Sequence, residues 1–393
     1  MFVLILGGSR PQFSAVQACQ ELSYDFMVFD GNSNCFATNF INQDQFREVN
    51  ISNKRDVMDA LTKLPRKVDG CVSTQTDVAI ETQAFVNKEL NLIGIKPKHI
   101  PMVLDKYEMS LACFKAGILH PKTILYNNIE DIFKEFSNKK IVVKPADSSG
   151  SKGVFIIDLM DKSFKVKLDQ ALKESIIYSP SKKILIQEFI EGLEVGAQYF
   201  HLRNMNSPFI MHDDQLGGPH SNVPIGHSMP CEIHSSLIEQ SKKTIENFLT
   251  FNNLPQGPYN IDFIIKDNKV YLIEIGARVG ATCLQEMTYE HLGFNLIKEQ
   301  IKLICGKPVS VKLKQNPLPV ASRMVFSKKV GICEKIDLPD LHKIEQKMNV
   351  TFEEFKIDIK KGDKLKGFNS GRDRLGFMVV SSDKIQNCFN AIN

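Results

Sequence analysis

Short apolar runs alternate with helical patterns over the first hundred residues. Runs at residues 2–6, 26–29 and 70–72 have the length and composition of strands buried on both faces. Apolar residues at helical spacing follow the first run, and a helix is predicted over residues 77–90 with Asp77 as its N-cap. Because strands that alternate with helices form parallel βαβ units, this part of the chain predicts a parallel α/β domain.

The middle of the chain changes to strands that are paired through turns. Between residues 141 and 202, apolar runs flank a Ser/Gly-rich loop at 147–153 and a turn at Gly192. A further pair of runs flanks the polar turn 266–269 and predicts a hairpin. Helices are predicted over 105–116, 164–178, 235–252 and 296–305, and short strands follow, including 321–326 and 376–380.

The charge and the cysteine content argue against several classes of protein. Lys and Arg total 49 against 45 Asp and Glu, and the net charge of +4 argues against a dedicated nucleic-acid-binding protein. No apolar stretch approaches the ~20 residues that span a bilayer, so no membrane segment is expected. No two of the nine cysteines are closer than sixteen positions. This spacing fits neither a metal site nor a disulfide framework, so reduced thiols and a cytoplasmic location are expected.

The turn at Gly7-Gly8, followed by Asp30, invites a dinucleotide-binding interpretation. The G-x-G-x-x-G pattern is absent, however, and turn glycines are the preferred interpretation. No nicotinamide cofactor is therefore predicted.

The first candidate site is the strand and loop that contain Lys144 and residues 147–153. A lysine at the end of a strand can contact a phosphate, and small residues let consecutive backbone N–H groups close over phosphate oxygens. The G-x-x-x-x-G-K-[ST] pattern of a P-loop is absent, so the loop is predicted to be a flap over a triphosphate. An ordinary Gly/Ser hairpin loop is the alternative.

The second candidate site is the run 187–194, where an apolar strand ends in a turn. Backbone groups that follow Gln187 can bind an adenine edge, and the carboxylate of Glu194 can take ribose hydroxyls. A plain hairpin with surface acids is the alternative interpretation of this segment.

The third candidate site is a pair of acids in the predicted hairpin. If the turn lies at 266–269, residues whose numbers sum to about 536 are partners, so Asp262 lies opposite Glu274 on the same face. Facing carboxylates in apolar strands repel unless a cation lies between them, and oxygen ligands beside a phosphate site favour Mg²⁺. Arg278 follows Glu274 by four residues and is placed to hold a phosphoryl group or a carboxylate.

In this order along the chain, the three clusters resemble the ATP-grasp superfamily, specifically its carboxylate–amine ligases. The resemblance covers nearly the whole chain and implies a mixed α/β (α+β grasp) fold with a parallel pre-grasp domain at residues 1–100. The ATP-grasp domain would span residues 101–306 in two subdomains, with the nucleotide flap subdomain at about 120–190. A small C-terminal α+β region, 307–393, would complete the substrate site.

The resemblance also implies roles for individual residues. Asp262 and Glu274 would bind Mg²⁺, with Mn²⁺ as the alternative, and Arg278 would stabilise an acyl phosphate. The other implied residues would bind ATP through side chains, backbone groups or the flap: Lys106, Lys144, Ser149, Gly150, Ser151, Gly153, Gln187, Glu188, Ile190 and Glu194.

Two differences from the family pattern indicate which branch of the family the chain resembles. Many members carry Asn two residues after the second metal acid, where this chain has Gly276, and L-amino-acid ligases also lack that Asn. Gly226-His227 is similar to a substrate-facing element of the same branch, although the acid that often precedes it is absent from 222–225. His227 is therefore a candidate base, with a surface histidine as the alternative. Residues 371–376 are similar to the closing element of that branch, with a charged turn as the alternative.

The function implied by the resemblance is an ATP-dependent ligase. It would join a small carboxylate to a small amine through an acyl phosphate and release ADP and phosphate. Two alternatives stay open: an ATP-grasp enzyme that uses bicarbonate or formate in nucleotide metabolism, and a non-catalytic ATP-binding regulatory protein. The expected partners are small molecules, without nucleic acid or membrane, and a homodimer is the default assembly.

Overall fold

The computed structural model of the chain describes residues 1–136, 140–203, 205–216, 224–368 and 373–392. Its strands, β1 to β18 in chain order, are Phe2–Leu6, Asp25–Asp30, Phe46–Glu48, Gly70–Val72, Thr123–Leu125, Lys140–Pro145, Phe155–Asp158, Ile184–Glu188, Leu193–His201, Phe209–Leu216, Pro224–Met229, Gly257–Lys266, Lys269–Gly276, Val320–Phe326, Gly331–Ile332, Thr351–Ile357, Lys364–Leu365 and Arg374–Ser381. Its helices, α1 to α12, are Phe13–Glu21, Lys54–Leu61, Ile80–Glu89, Ile100–Leu104, Lys106–Lys115, Ile129–Glu135, Phe164–Ser175, Ser235–Phe251, Leu284–Leu292, Leu296–Ile304, Leu341–Met348 and Ile385–Ile392.

The first four strands form a parallel sheet in the order β3-β2-β1-β4. All residues of β1 are buried, as expected for a central strand of a sheet covered on both faces. The backbone N–H of Gly8 donates to the carboxylate of Asp30 at 2.7 Å, so this acid stabilises the turn after β1. The predicted parallel βαβ arrangement is confirmed.

The prediction that Asp77 caps the helix after β4 is wrong. Helix α3 begins at Ile80, and Ala79 occupies the N-cap position without a side-chain hydrogen bond. Asp77 lies in the loop between β4 and α3, where its carboxylate binds the guanidinium of Arg278. A charge-assisted pair of this kind is stronger than the neutral hydrogen bond of a cap, so the distant partner prevails.

A small antiparallel sheet, in the order β5-β8-β6-β7, follows in the chain. Its apolar core gathers Ile141, Val143 and Ile186 against Leu168 of α7. Because β6 and β7 are antiparallel neighbours at the edge of this sheet, the Ser/Gly-rich segment between them forms a loop at its end. The prediction of two strands that flank this loop is confirmed.

The longest sheet has the order β13-β12-β9-β10-β11-β14-β18-β16, with every neighbouring pair antiparallel. Side chains alternate along β12, where Ile261, Phe263 and Ile265 are buried in a core shared with helix α8. The intervening residues, among them Asn260 and Asp262, lie on the opposite face. That second face, called here the polar face, carries most of the candidate site.

The N-terminal sheet and the long sheet share an apolar core. Val3 and Ile5 of β1 belong to one buried cluster with Phe200 of β9 and with Ile297 and Ile301 of α10. The C-terminal strands β14, β18 and β16 extend the long sheet itself. The mixed α/β fold is confirmed, whereas the division of the chain at residues 100 and 306 stays a prediction.

Two expectations from composition can be compared with the structure. All nine cysteines are free thiols, and each except Cys305 is buried, so the expectation of unpaired thiols is confirmed. Among the described residues, no helix combines the length and the apolar character that crossing a membrane requires.

Candidate active site

Two carboxylates face each other near the end of the hairpin of β12 and β13. Asp262 is the register partner of Glu274, as the sequence predicts. The register shifts directly after this pair, because Phe263 is the partner of Leu272 and Ile273 is left without one. This β-bulge brings the Glu274 side chain onto the polar face opposite Asp262.

The two acids form a pocket of negative charge that suits a cation. Burial, followed by the neighbouring carboxylates of Glu274 and Asp214, raises the pKa of Asp262 to about 8. Lys106 compensates part of this charge, since its Nζ lies 3.1 Å from Glu274 Oε1. Oxygen donors that repel one another in this way fit a divalent cation such as Mg²⁺.

Lys106 is held in place by the start of helix α5. The side chain of Asp105 is the N-cap and accepts from the backbone N–H groups of Tyr107 and Glu108. The Lys106 Nζ also donates to the carbonyl oxygen of Ser148 at 2.6 Å. One ammonium group therefore contacts both the acid pair, through Glu274, and the base of the predicted flap.

Arg278 forms a bidentate ion pair with Asp77. Its Nε lies 2.8 Å from Asp77 Oδ1 and its second terminal nitrogen lies 3.1 Å from Oδ2. Burial acts to raise the pKa of Asp77, but the guanidinium outweighs it and the pKa is lowered overall. The carboxylates of Asp262 and Glu274 also act to raise the pKa of Arg278. Because Asp77 lies in the loop after β4, the parallel sheet holds one side of the candidate site in place.

Gly276 leaves room that Arg278 occupies. A Cβ at Gly276 would lie 3.7 Å from Cγ and Cζ of Arg278, in ordinary van der Waals contact. Asn260, the register partner of Gly276, accepts from Gln198 Nε2 at 2.6 Å and is therefore engaged within the sheet.

Lys144 is buried in a polar network on the small sheet. Its Nζ donates to Gln187 Oε1 at 2.8 Å, and Gln187 Nε2 donates to Thr123 Oγ1 at 2.8 Å. Burial, followed by the charge of Lys106, lowers the pKa of Lys144 to about 8. Burial and the Lys144 charge likewise lower the pKa of His120 to about 4, so this imidazole is neutral at pH 7.

The predicted flap is exposed at its tip and anchored at its ends. Residues 149–152 are exposed, and Gly150, Ser151 and Gly153 all have positive φ angles. Asp147 accepts from Ser179 Oγ at 2.7 Å and from a backbone N–H at 2.9 Å, which fixes one end. Ser175 Oγ donates to the Gly153 carbonyl at 2.6 Å and fixes the other.

The remaining predicted nucleotide residues lie where β8 ends and β9 begins. The backbone N–H of Glu188 donates to the Lys122 carbonyl at 2.8 Å, so that group is used within the sheet. Ile190 is buried directly after β8. Burial and the nearby charge of Asp214 raise the pKa of Glu194. Glu194 therefore lies close to Asp214, beside the polar face.

His227 is a buried residue of the polar face, so the alternative of a surface histidine is wrong. It is 3% exposed, and its Nδ1 lies 2.8 Å from Asp214 Oδ1. Of the other elements assigned to the L-amino-acid-ligase branch, residues 222–223 and 371–372 lie outside the described residues. The described parts, Pro224–Met229 and Arg374–Ser381, are β11 and β18.

A family comparison identifies the middle of the chain. Residues 103–282 match the family described as ATP-grasp domain. The chain contains an ATP-grasp domain. The matched segment includes both predicted lysines, the predicted flap, the acid pair and Arg278, whereas Asp77 lies outside it.

The curated relatives are longer proteins than this chain. The carbamoyl phosphate synthase large chain of Thermotoga neapolitana is 22% identical over 312 residues, which cover 76% of this chain and 27% of that protein. The same protein of Thermotoga maritima is 21% identical over 304 residues, covering 74% and 26%. The chain therefore spans about a quarter of the length of the curated relatives it matches.

Solved structures extend the likeness to the whole chain. Phosphoribosylglycinamide synthetase from Anaerococcus prevotii has a TM-score of 0.80 and 23% identity, covering 99% of this chain and 96% of the other. L-amino acid ligase from Bacillus licheniformis has a TM-score of 0.79 and 17% identity, covering 99% and 95%. The regions on either side of the ATP-grasp domain therefore share the fold of these enzymes.

Several residues that the structure brings to the candidate site were not predicted from the sequence. Asp77 was assigned to a helix cap, although its guanidinium partner lies 201 positions away. His120 and Thr123 lie in or beside β5, a strand of three residues that is too short for a periodic pattern. His212 and Asp214 belong to β10, whose mixed polar and apolar residues give no clear alternation in the sequence.

Proposed function

We propose that the chain is an ATP-dependent ligase that joins a small-molecule carboxylate to an amine through an acyl phosphate. The observation that carries this proposal is the group of charged side chains that meet at the polar face of the long sheet. Asp262 faces Glu274, Lys106 pairs with Glu274, and Arg278 lies beside both acids. Phosphoryl transfer depends mainly on positioning and charge neutralisation, which such a set supplies.

The first half of the proposed reaction forms an acyl phosphate. Lys144 and Lys106 contact the phosphates of ATP, and the segment Ser149–Gly153 closes over them to exclude water, because an acyl phosphate hydrolyses readily. Arg278 neutralises charge that develops on the transferred phosphoryl group. Asp262 and Glu274 would hold Mg²⁺, which when bound would offset the negative charge of the phosphates.

The second half joins the amine to the activated carboxyl group. The amine must lose a proton as the amide forms, and His227 is the base proposed for this step. His227 fits the role because it lies on the polar face, in a hydrogen-bonded cluster whose carboxylate influences Asp262.

The decisive experiment measures ADP release from Mg-ATP in the presence of a panel of carboxylates and amines. A ligase releases ADP only when one acid and one amine are both present, and mass spectrometry then detects the amide. Protein prepared in the same way from cells that lack the gene serves as the blank for contaminating ATPases. ADP release that never depends on both substrates contradicts the proposal.

A second candidate function is supported by the curated relatives, which are named carbamoyl phosphate synthase large chain. In this alternative the ATP-grasp domain activates bicarbonate instead of an organic acid. ADP release that depends on bicarbonate and is unaffected by organic acids would favour it. The same assay therefore separates the two functions.

The expected setting of this enzyme is also part of the proposal. We propose small-molecule substrates, a cytoplasmic location, which the free thiols support, and a homodimer as the default assembly. Light scattering of the purified chain tests the assembly, because a monomer has the mass of 44.4 kDa and a dimer has twice that mass.

A further inference from the structure

Two imidazoles and one carboxylate form a cluster on β10 and β11. Asp214 Oδ1 lies 2.9 Å from His212 Nδ1 and 2.8 Å from His227 Nδ1. Asp214 and His227 are register partners, and His212 lies two residues before Asp214, so all three side chains share the polar face. The two rings meet edge to face with their centroids 4.9 Å apart. This group is called the His–Asp–His cluster below.

The backbone around the cluster holds both rings in place. His212 is 2% exposed, and its ring lies so close to Gly196 that a Cβ at that glycine would overlap it. Gly196 is the register partner of both His212 and Asp262, which places the His212 ring beside the metal acids. On the other side, the backbone N–H of His227 donates to Ser322 Oγ at 3.1 Å.

The hydrogen bonds assign a tautomer to each ring. A carboxylate oxygen only accepts, so both Nδ1 atoms carry the protons that Asp214 binds. Burial acts to raise the pKa of Asp214, but the two imidazole donors outweigh it and the pKa lies well below its ordinary range. Each Nε2 then holds a lone pair, and among the described residues neither Nε2 has a hydrogen-bond partner although both are buried.

The same residues also offer the donor set of a transition-metal site. A metal-bound histidine almost always donates its second ring N–H to a carbonyl or a carboxylate. If the Nδ1 atoms bound a metal, both Nε2 atoms would carry protons, and no described group accepts them. The geometry therefore favours the hydrogen-bonded arrangement over a metal site.

We propose that Asp214 and His212 are positioning residues that hold His227 with its Nε2 lone pair ready for the amine substrate. This inference rests on the proposed ligase function. It adds Asp214 and His212 as the residues that hold the proposed base, His227, in position. The amine nitrogen forms the C–N bond, the C–O bond to the phosphate breaks, and phosphate leaves with the bonding electrons. The amine proton moves to His227 Nε2, and the carboxylate of Asp214 stabilises the imidazolium.

The test compares two nucleophiles in the Asp214→Asn variant. An amide at this position can donate to one ring and force the wrong tautomer. We expect amide formation at neutral pH to fall by about 100-fold or more. Hydroxylamine is unprotonated at neutral pH and needs no base, so hydroxamate formation from the same acid should change little. The loss of amide formation should also shrink as the pH rises, because the free amine then predominates.

A matched control is Asp213→Asn on the same strand. Asp213 is the next residue along β10 and points to the opposite face, where it accepts from Cys231 Sγ at 2.9 Å and from the Glu232 N–H at 3.2 Å. This variant should retain both reactions. If Asp214→Asn loses amide and hydroxamate formation equally, or loses neither, the positioning role is overturned. The other charges that face Asp214 are Asp262 on β12 and Glu194 on β9, and both variants leave them unchanged.

Long-range nitrogen NMR of histidine-labelled protein tests the same idea without turnover. In the resting enzyme, His212 and His227 should carry protons on Nδ1 only, with the signals assigned through His227→Gln. Asp214→Asn should change the tautomer of at least one ring, and unchanged spectra contradict the inference. Displacement of both Nδ1 protons by stoichiometric Zn²⁺ would show a metal site instead. If the wild-type protein forms no hydroxamate with any acid, the ligase function fails, while these spectra still decide what Asp214 does.

Discussion

The hairpin of β12 and β13 carries charges that are paired with opposite charges, whereas the loop between β6 and β7 exposes its polar groups. On the hairpin side, Lys106 pairs with Glu274 and Arg278 pairs with Asp77, so cations and anions are matched before any substrate binds. On the loop side, residues 149–152 are exposed and the anchors lie at the two ends. The first region is preorganised, and the second would have to close if it is the proposed nucleotide flap.

Because of this difference, substitutions in the two regions should change different kinetic quantities. A preorganised charge contributes to the transition state without further ordering, so its removal lowers turnover. A loop that closes on a nucleotide pays the cost of ordering during binding, so its substitution changes the affinity for ATP. Substitutions in the two regions are therefore expected to differ in kind.

The largest effect is expected from Glu274→Gln. Loss of one metal acid should lower turnover by about 100-fold or more, because the phosphates lose a bound cation. Stability should change little, because relief of the repulsion from Asp262 offsets the loss of the ion pair with Lys106. ADP release and thermal unfolding measure the two effects. Glu239→Gln on the exposed surface of α8 is the control and should alter neither. Near-normal turnover in Glu274→Gln would remove this residue from the site.

The second effect is expected from Asp77→Asn. Breaking a buried ion pair leaves the Arg278 guanidinium uncompensated and should cost about 3 kcal/mol of stability. Because the pKa of Asp77 is lowered in the folded state, its stabilisation is present above the ordinary aspartate pKa and is lost as the pH falls through the lowered value. Thermal unfolding across pH measures this, and the difference from wild type should vanish in acid. Asp59→Asn, an exposed change on α2, should match the wild type at every pH.

A moderate effect is expected from pH on nucleotide binding. The pKa of Lys144 is about 8, so its charge is lost as the pH rises through that value. Between pH 7 and pH 9 the affinity for ADP should fall by about 10-fold. Lys144→Arg keeps its charge and should abolish this dependence, while Lys152→Arg on the exposed flap should retain it. Calorimetry measures both, and an identical pH dependence in wild type and Lys144→Arg contradicts the assignment.

The smallest effects distinguish two glycines of the flap. Gly150 and Gly153 both have φ of +70°, but a Cβ at Gly150 meets no atom within 4 Å. A Cβ at Gly153 would lie 3.1 Å from Ser175 Cα, where the flap is anchored. Gly150→Ala should raise the KM for ATP a few-fold through backbone strain of about 1 kcal/mol, and Gly153→Ala should raise it further. Equal effects would mean that packing at the anchor does not matter. Turnover at saturating ATP should change little in either variant.

The pairing of Asp262 with Glu274 could be predicted from the position of the hairpin turn, but the register of the whole hairpin could not. The sequence predicts that Asp262 faces Glu274, and the pairing is confirmed. The residues nearer the turn pair one position differently, since Lys266 is the partner of Lys269 and Phe263 is the partner of Leu272. Asp262 lies opposite Glu274 only because the bulge at Ile273 shifts the register by one residue. The apolar pattern of the sequence does not predict this bulge.

Groups that meet across long stretches of chain could not be predicted in the same way. Asp77 has the local features of a helix cap, and its real partner depends on how the parallel sheet packs against the long sheet. Asp214 and His227 meet because β10 and β11 are neighbours, a pairing that neither periodicity nor turn residues indicated. Local patterns identified the strands and the flap, whereas the partners of buried charges depend on tertiary packing.

Gly196 and Gly226 are both crowded, but by different kinds of atom. A Cβ at Gly196 would overlap the His212 ring, whereas a Cβ at Gly226 would overlap the carbonyl oxygen of Ser322. A smaller side chain at position 212 relieves the first clash, and no single side-chain change relieves the second, because the obstacle there is backbone. Among homologues, we therefore expect positions 196 and 212 to vary together. Position 226 should stay glycine wherever β11 and β14 remain paired.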